Sequence, residues 1–218
     1  MPMTRHGYRK VTDLPGTIAV FPLSGAILFP RWSLPLNIFE PRYLNMIDDA
    51  MAGNRMIGMI QTTGGDKQSP NLARVGCAGR ITSYSETEDG RYLINLTGVC
   101  RFRLEEELDV STPYRQIKPV WTGYDADLED PETGGLPERT ELSNALKKYT
   151  SFNEMEVDWE AVETAPMETL VNALAAGCPF SPMEKQALLE APDLRGRCDA
   201  LVALLDMDIS GDDSSTLQ

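Results

Sequence analysis

The apolar residues in the first 121 positions mostly follow the two-residue alternation of β-strands. Short runs rich in β-branched and aromatic residues predict strands at 17–21 (TIAVF), 56–61 (MIGMIQ) and 114–121 (YRQIKPVW). Two longer alternating segments flank Asp89 and Gly90, a typical hairpin turn, and Gly98 in the second segment indicates a bulge or sharp bend. Many short strands with glycine kinks predict a coiled, barrel-like sheet.

One stretch in this half combines apolar residues with four prolines. It reads FPLSGAILFPRWSLPLNIFEPRY and spans residues 21–43. Pro22 and Pro30 bracket a predicted loop, because proline removes a ladder hydrogen bond. The alternating apolar residues that follow are Leu34, Leu36 and Ile38. They predict an edge strand that runs directly into a helix, which begins at Pro41 and ends at Gly53.

From residue 139 onward, apolar residues recur every three or four positions, which predicts amphipathic helices. The stripe residues are Leu142, Ala145, Leu146 and Tyr149, then Met167, Leu170, Val171 and Leu174, then Leu194, Cys198, Leu201, Val202 and Leu205. The run SPME at residues 181–184 is a capping box with proline at the first helical position. We therefore predict a helical bundle over residues 139–209 and a polar, disordered tail over residues 210–218.

Charge divides the chain at the same place as the periodicity. Residues 1–121 hold 14 Lys and Arg against 12 Asp and Glu, whereas residues 122–218 hold 6 against 21. Residues 125–138 are acidic and rich in proline and glycine, which predicts a linker between a domain at 1–124 and the bundle. The net charge of −13 argues against nucleic acid as a partner, because phosphate binding needs a cationic face.

The residues that most often carry chemistry are sparse. The single histidine is His6, and the four cysteines contain no C-x-x-C pair, so we predict no hydrolase triad and no metal site. The loop TTGGDKQSP lacks the spacing of a phosphate loop, and the tail DMDISGDDSSTL lacks the final glutamate of a calcium loop. We predict a protein without catalytic residues or cofactor. Scattered thiols and the absence of a membrane-length apolar window predict a cytoplasmic location without membrane contact.

Four segments resemble a known family. They are IAVFPLSGAILFPRWSLPLNIFEPRYLNMIDDAM, VGCAGRIT, DGRYLINLTGVCRFRL and PYRQIKPVW, in that order. At these residues, within positions 16–121, the sequence strongly resembles the N-terminal substrate-binding domain of ATP-dependent Lon proteases. The segment LVNALAAGCPFSPMEKQALLEAPDLRGRCDAL resembles the C-terminal helices of that domain more loosely.

This resemblance implies an α+β protein, with a PUA-like, partly open β-barrel holding one inserted helix, followed by a C-terminal α-helical bundle. It also implies binding of unfolded or tagged polypeptides. In Lon proteases an ATPase module and a Ser-Lys protease module follow these helices. We expect neither activity here, because the 218 residues contain no nucleotide loop.

The prolines of residues 21–43 predict apolar side chains held near the surface. The candidate peptide-binding residues are Phe29, Trp32, Leu34 and Phe39, with Tyr114 and Trp121 as weaker candidates. Fixed aromatic side chains suit a peptide groove or the pairing of an edge strand. The competing interpretation places Phe39, Tyr43 and Leu36 in the core and leaves Trp32 as the most exposed.

Three functions are compatible with these patterns. The first is a non-enzymatic module that binds a polypeptide client as an adaptor or chaperone-like factor. The second is a small-molecule binder or enzyme with a pocket between barrel and bundle. The third is an RNA binder, which would require a compact cluster of the arginines Arg74, Arg80, Arg91, Arg101 and Arg103.

Overall fold

The computed structural model describes residues 8–66, 69–129 and 137–213, with side chains up to residue 209. The chain divides into two compact units, Met1–Asp130 and Pro131–Gln218. The strands are β1 (Ile18–Pro22), β2 (Ser33–Ile38), β3 (Met56–Gly65), β4 (Pro70–Glu86), β5 (Tyr92–Glu107) and β6 (Gln116–Val120). The α-helices are α1 (Pro41–Ala52), α2 (Arg139–Phe152), α3 (Trp159–Thr164), α4 (Met167–Gly177), α5 (Pro182–Glu190) and α6 (Leu194–Asp213).

The first unit is a mixed sheet whose strands lie in the order β2-β5-β4-β3-β1-β6. Only β1 and β3 pair in parallel, and the other described pairs are antiparallel. Strand β5 is long enough to take two partners on one side: its first half pairs with β2 and its second half with β6. Because β5 also pairs with β6, the strands β5, β4, β3, β1 and β6 form a closed ring. Strand β2 lies outside this ring as the edge strand.

Phe102 fills the interior of this ring of strands. Cβ atoms added to Gly76 and Gly58 would lie 2.5 and 3.0 Å from its ring, so both strands use glycine where the ring crosses them. Trp121 packs against Phe102 with ring centroids 5.9 Å apart, and its indole nitrogen donates a hydrogen bond to Pro15. Trp121 is therefore a core residue, and its assignment as a surface candidate was wrong.

The bulge predicted at Gly98 is confirmed. Ala78 pairs with Cys100 and Gly79 pairs with Gly98, so one residue of β5 is left without a partner on β4. Gly98 has a second role that the sequence did not indicate. A Cβ atom at this position would lie 1.9 Å from the carbonyl oxygen of Phe29, because the chain leading into β2 crosses β5 here.

We expect Gly98→Ala to lower the free energy of unfolding by about 1–3 kcal/mol or more, since a backbone carbonyl must move to admit the methyl group. Urea denaturation followed by tryptophan fluorescence measures the change. Gly16→Ala is the matched control, because an added Cβ atom there meets nothing within 4 Å. Equal stability of the two variants would contradict the close approach described above.

The second unit consists, in its described part, of helices α2–α6. Helix α6 packs against α2, α4 and α5. The capping box predicted at the start of α5 is confirmed: the Ser181 hydroxyl accepts from the Glu184 amide, and the Glu184 carboxylate accepts from the Ser181 amide. Inside the unit, Arg197 donates to the Asn172 side chain at 2.9 Å and to the Leu188 carbonyl at 3.0 Å. These bonds satisfy a buried arginine.

The segment between the units differs from the exposed linker expected at 125–138. Residues Asp125–Leu128 form a short 3₁₀ helix in which Asp127 and Leu128 are buried. The Asp127 carboxylate accepts hydrogen bonds from the amide, Nε and Nη2 of Arg101 at 2.8–2.9 Å. A buried carboxylate needs such a partner, so this acidic residue belongs to the first unit. Residues 130–136 of the expected linker lie outside the described residues.

The last helix also differs from its expected end. Its backbone continues to Asp213, past residue 209, where the bundle was predicted to end. The rest of the predicted tail, 214–218, lies outside the described residues, as does His6.

Candidate functional site

The outer edge of β2 offers backbone groups for pairing. Among the described strands, β2 pairs with β5 alone, in the register Ser33↔Thr97 to Ile38↔Tyr92. The Gly98 amide donates to the Trp32 carbonyl at 2.8 Å. Because hydrogen-bonded pairs alternate along an antiparallel ladder, this bond directs the backbone groups of Ser33, Pro35 and Asn37 away from β5, along the free edge.

Pro35 fits this geometry. Proline has no N–H group, and at position 35 that group would point to the free edge, so no bond of the β2–β5 ladder is lost. The edge strand predicted from the proline pattern is confirmed. The free edge keeps the amides of Ser33 and Asn37 and the carbonyls of all three residues. A proline in the middle of an edge also limits uncontrolled pairing with other chains.

Exposed apolar side chains lie at the end of this edge. Phe39 is 63 % exposed, and Leu93, which pairs with Asn37 across the ladder, is 45 % exposed. Strand alternation places Phe39 two positions after Asn37, on the same face as Leu93. Diagonal neighbours of this kind lie within reach of large side chains. We therefore expect these two exposed apolar residues to lie near each other, beside the free backbone edge.

The four peptide-binding residues predicted from the sequence differ in their exposure to solvent. Phe39 is exposed, and Trp32 and Leu34 are half-buried near or on β2. Phe29 is fully buried, so its expected position at the surface was wrong. The chain segment that carries Phe29 crosses β5 at Gly98, and this close approach places the Phe29 side chain in the interior.

The competing core interpretation is also corrected in part. Tyr43 is buried, as it predicted, but Phe39 is the most exposed of the aromatic candidates, ahead of Trp32. Tyr114, predicted as a weaker peptide-binding candidate, is buried, and its hydroxyl donates to Asp49 at 2.6 Å. Leu93 was missed, because alternation along β5 does not reveal which face meets solvent.

The turn before β2 is fixed on both sides. Arg31 adopts a left-handed backbone conformation with φ of 63°, which is uncommon for a residue with a Cβ atom. Its amide donates to the Gly98 carbonyl at 2.8 Å, and its guanidinium donates to the carbonyls of Asp127 and Glu129. These contacts hold β2 in place before any ligand arrives, which reduces the entropy lost on binding.

A cleft of about 350 Å³ lies within the first unit. Its polar lining residues include Arg42, Arg115 and Tyr114. Each of them is already bonded to an acidic side chain: Arg42 to Glu40, Arg115 to Glu107, and Tyr114 to Asp49. Burial and the bond to Asp49 raise the pKa of Tyr114 to about 12. These three side chains of the cleft therefore already have acidic partners.

Two of the five arginines named for RNA binding are neutralised by acidic partners. Arg101 is buried in its ion pair with Asp127. Arg91 pairs with Asp89 at 2.8 Å, and Arg80 donates to a backbone carbonyl. Neutralised and buried guanidinium groups contribute little to phosphate binding.

Within residues 8–66, 69–129 and 137–213, no group of three His, Cys, Asp or Glu side chains is placed to hold a metal ion. The helices in these ranges are too short or too polar to span a lipid bilayer. The four cysteines are buried and form no disulfide, and burial raises the pKa of Cys100, Cys178 and Cys198.

Solved structures share this fold. The Lon N-terminal domain protein from Xanthomonas campestris matches with a TM-score of 0.59 and 21 % identity, over 86 % of this chain and 97 % of that one. The N-terminal domain of the Mycobacterium avium complex Lon protease matches with the same TM-score and 15 % identity, over 87 % and 98 %. The mixed sheet followed by helices is thus the fold of Lon N-terminal domains.

Sequence comparisons agree with the fold. The Lon protease of Desulfosudis oleivorans is 27 % identical over 84 % of this chain and 23 % of its own length. Lon protease 2 of Myxococcus xanthus is 27 % identical over 93 % and 25 %. This chain thus spans about a quarter of the length of these relatives. The family model for the ATP-dependent protease La (LON) substrate-binding domain matches residues 17–207, and the chain therefore belongs to the Lon substrate-binding domain family.

Proposed function

We propose that this protein binds extended segments of polypeptide clients by strand addition to the free edge of β2. Phe39 and Leu93 serve as apolar anchors at the end of that edge. The observation that carries the proposal is an edge strand with unpaired backbone positions beside two exposed apolar side chains. Membership of a substrate-binding domain family supports a protein ligand.

The chemistry of the edge suits unfolded clients. Backbone groups are the same in every sequence, so strand addition tolerates varied side chains. Each backbone hydrogen bond contributes only about 0.5–1.5 kcal/mol net to the binding free energy, and Pro35 leaves the free edge of β2 with one donor fewer. Binding is therefore weak and reversible. We place it in a non-enzymatic adaptor or chaperone-like role, with a PUA-like barrel as the binding unit and a helical bundle as a separate unit.

The first test replaces the anchors. We expect Phe39→Ser combined with Leu93→Ser to weaken binding of a fluorescent, permanently unfolded polypeptide at least about tenfold, because both apolar contacts are lost. Fluorescence anisotropy measures the affinity. Val110→Ser is the control, since Val110 is an exposed apolar residue of the same unit outside β2 and its neighbours. An equal loss in the control, or none in the double variant, contradicts the assignment.

The second test addresses the backbone. A short apolar peptide is compared with two counterparts, each N-methylated at one of the two sets of alternate amides. Methylation keeps the side chains but removes the hydrogen-bond donors of one edge of the peptide. Strand addition predicts strong binding loss for methylation on one set of alternate amides and little for the other set. Equal affinity of all three peptides would overturn strand addition, even if Phe39 and Leu93 proved to be contacts.

A further inference from the structure

A groove in the second unit is lined in part by exposed apolar side chains. A cavity of about 400 Å³ is lined by Phe152, Asn153, Phe180, Glu184, Leu204, Met207 and Asp208. Among the described residues of this unit, the exposed large apolar side chains are Phe152, Met155, Met183 and Met207. Each of them either lines the groove or stands within two positions of a residue that does. Phe152 and Met207 therefore line the groove, and Met155 and Met183 lie close to its lining residues in the sequence.

The helices do not need these side chains for their own packing. Helix α5 buries Leu188 and Leu189, whereas Met183 in its first turn is 83 % exposed. Helix α6 buries Leu201 and Leu205, whereas Met207 is 66 % exposed. Methionine is unbranched and polarisable, so a surface rich in it adapts to differently shaped apolar partners.

The surroundings of the groove are acidic. Glu184 and Asp208 line it directly, and residues 131–218 contain 17 Asp and Glu against 6 Lys and Arg. Two lysines lie near the groove in sequence or in space, and both already have bonding partners. Lys148 lies 3.6 Å from Asp206, and Lys185 donates to the Ala176 carbonyl at 3.0 Å. A ligand entering the groove thus meets apolar side chains, polar groups and net negative charge.

We propose that this groove docks a basic amphipathic helix of a partner protein. Large apolar residues of the partner at positions i, i+3 or i+4, and i+7 enter between Phe152 and Met207. Its lysines and arginines face the carboxylates of the rim. The charge of the second unit selects this occupant over an acidic or neutral helix, because a like-charged helix would be repelled. The site is distinct from β2, which belongs to the first unit.

The test uses the full chain and two fluorescent model peptides with leucines at the same helical spacing, one with lysine and one with glutamate at the polar positions. We expect micromolar, saturable binding of the lysine peptide, a rise in its helical circular dichroism, and at least tenfold weaker binding of the glutamate peptide. Raised salt should weaken the lysine peptide further.

Variants locate the site. Met183→Ser with Met207→Ser should weaken the lysine peptide at least tenfold, and Asp208→Asn should weaken it by a smaller factor and reduce the salt dependence. The Phe39→Ser, Leu93→Ser protein should bind it as the parent does, which separates this site from the edge of β2. Thermal melts show that the variants are folded. Equal binding of the two peptides, no saturable binding, or full affinity in the methionine variant each overturns the proposal.

Discussion

Asp127→Ala is expected to lower the free energy of unfolding by about 3–5 kcal/mol, because it leaves the Arg101 guanidinium buried without its counter-ion. Both side chains are about 5–6 % exposed, and the carboxylate accepts three hydrogen bonds from Arg101. Water cannot replace those acceptors at a buried site. The Asp127 carbonyl also accepts from Arg31, so loss of the 3₁₀ helix would loosen the turn before β2.

Urea denaturation followed by tryptophan fluorescence measures this effect. Glu105→Ala is the matched control, because Glu105 pairs with Lys118 in an ion pair that is about half exposed. Exposed pairs contribute little, so its change should be far smaller. Replacing both partners, Arg101→Met with Asp127→Leu, should restore much of the lost stability, since no charge remains buried. A loss for Asp127→Ala no greater than for Glu105→Ala would show that the pair is not buried in solution.

Features set by neighbouring residues were predictable from the sequence. The capping box at Ser181, the start of α1 at Pro41 and the bulge at Gly98 each depend on a few adjacent residues. Their chemistry is local: a hydroxyl that caps an amide, a ring with fixed φ, or a missing side chain. The edge strand β2 was also predictable, because Pro35 fits only where no ladder bond is needed.

Features set by distant residues were not predictable. Asp127 stands in an acidic, loop-like segment, and only a partner 26 positions earlier explains its burial. Phe29 and Phe39 both follow apolar residues near prolines, yet one is buried and the other exposed. Periodicity reveals that two faces alternate but not which face meets the core. For the same reason the anchor Leu93 left no signal in the sequence.

Phe29→Ala gives the clearest test of how the binding edge is held. We expect it to lower the free energy of unfolding by about 3–5 kcal/mol, because a fully buried phenyl ring is replaced by a cavity. Phe29 also lies at the crossing of two chains: its carbonyl accepts from the Trp32 amide at 3.1 Å and abuts Gly98. Collapse of the cavity would therefore shift the turn that positions β2.

Phe39→Ala is the matched control, with the same chemical change at an exposed position. Its stability should stay within about 0.5 kcal/mol of the parent, whereas its affinity for the unfolded polypeptide should fall. Phe29→Leu, which fills most of the cavity, should recover more than half of the stability lost in Phe29→Ala. If Phe29→Ala were as stable as Phe39→Ala, the ring would not be buried, and the proposed support of the edge by the core would fail. The opposite responses of two phenylalanines ten positions apart would separate the residue that builds the edge from the residue that uses it.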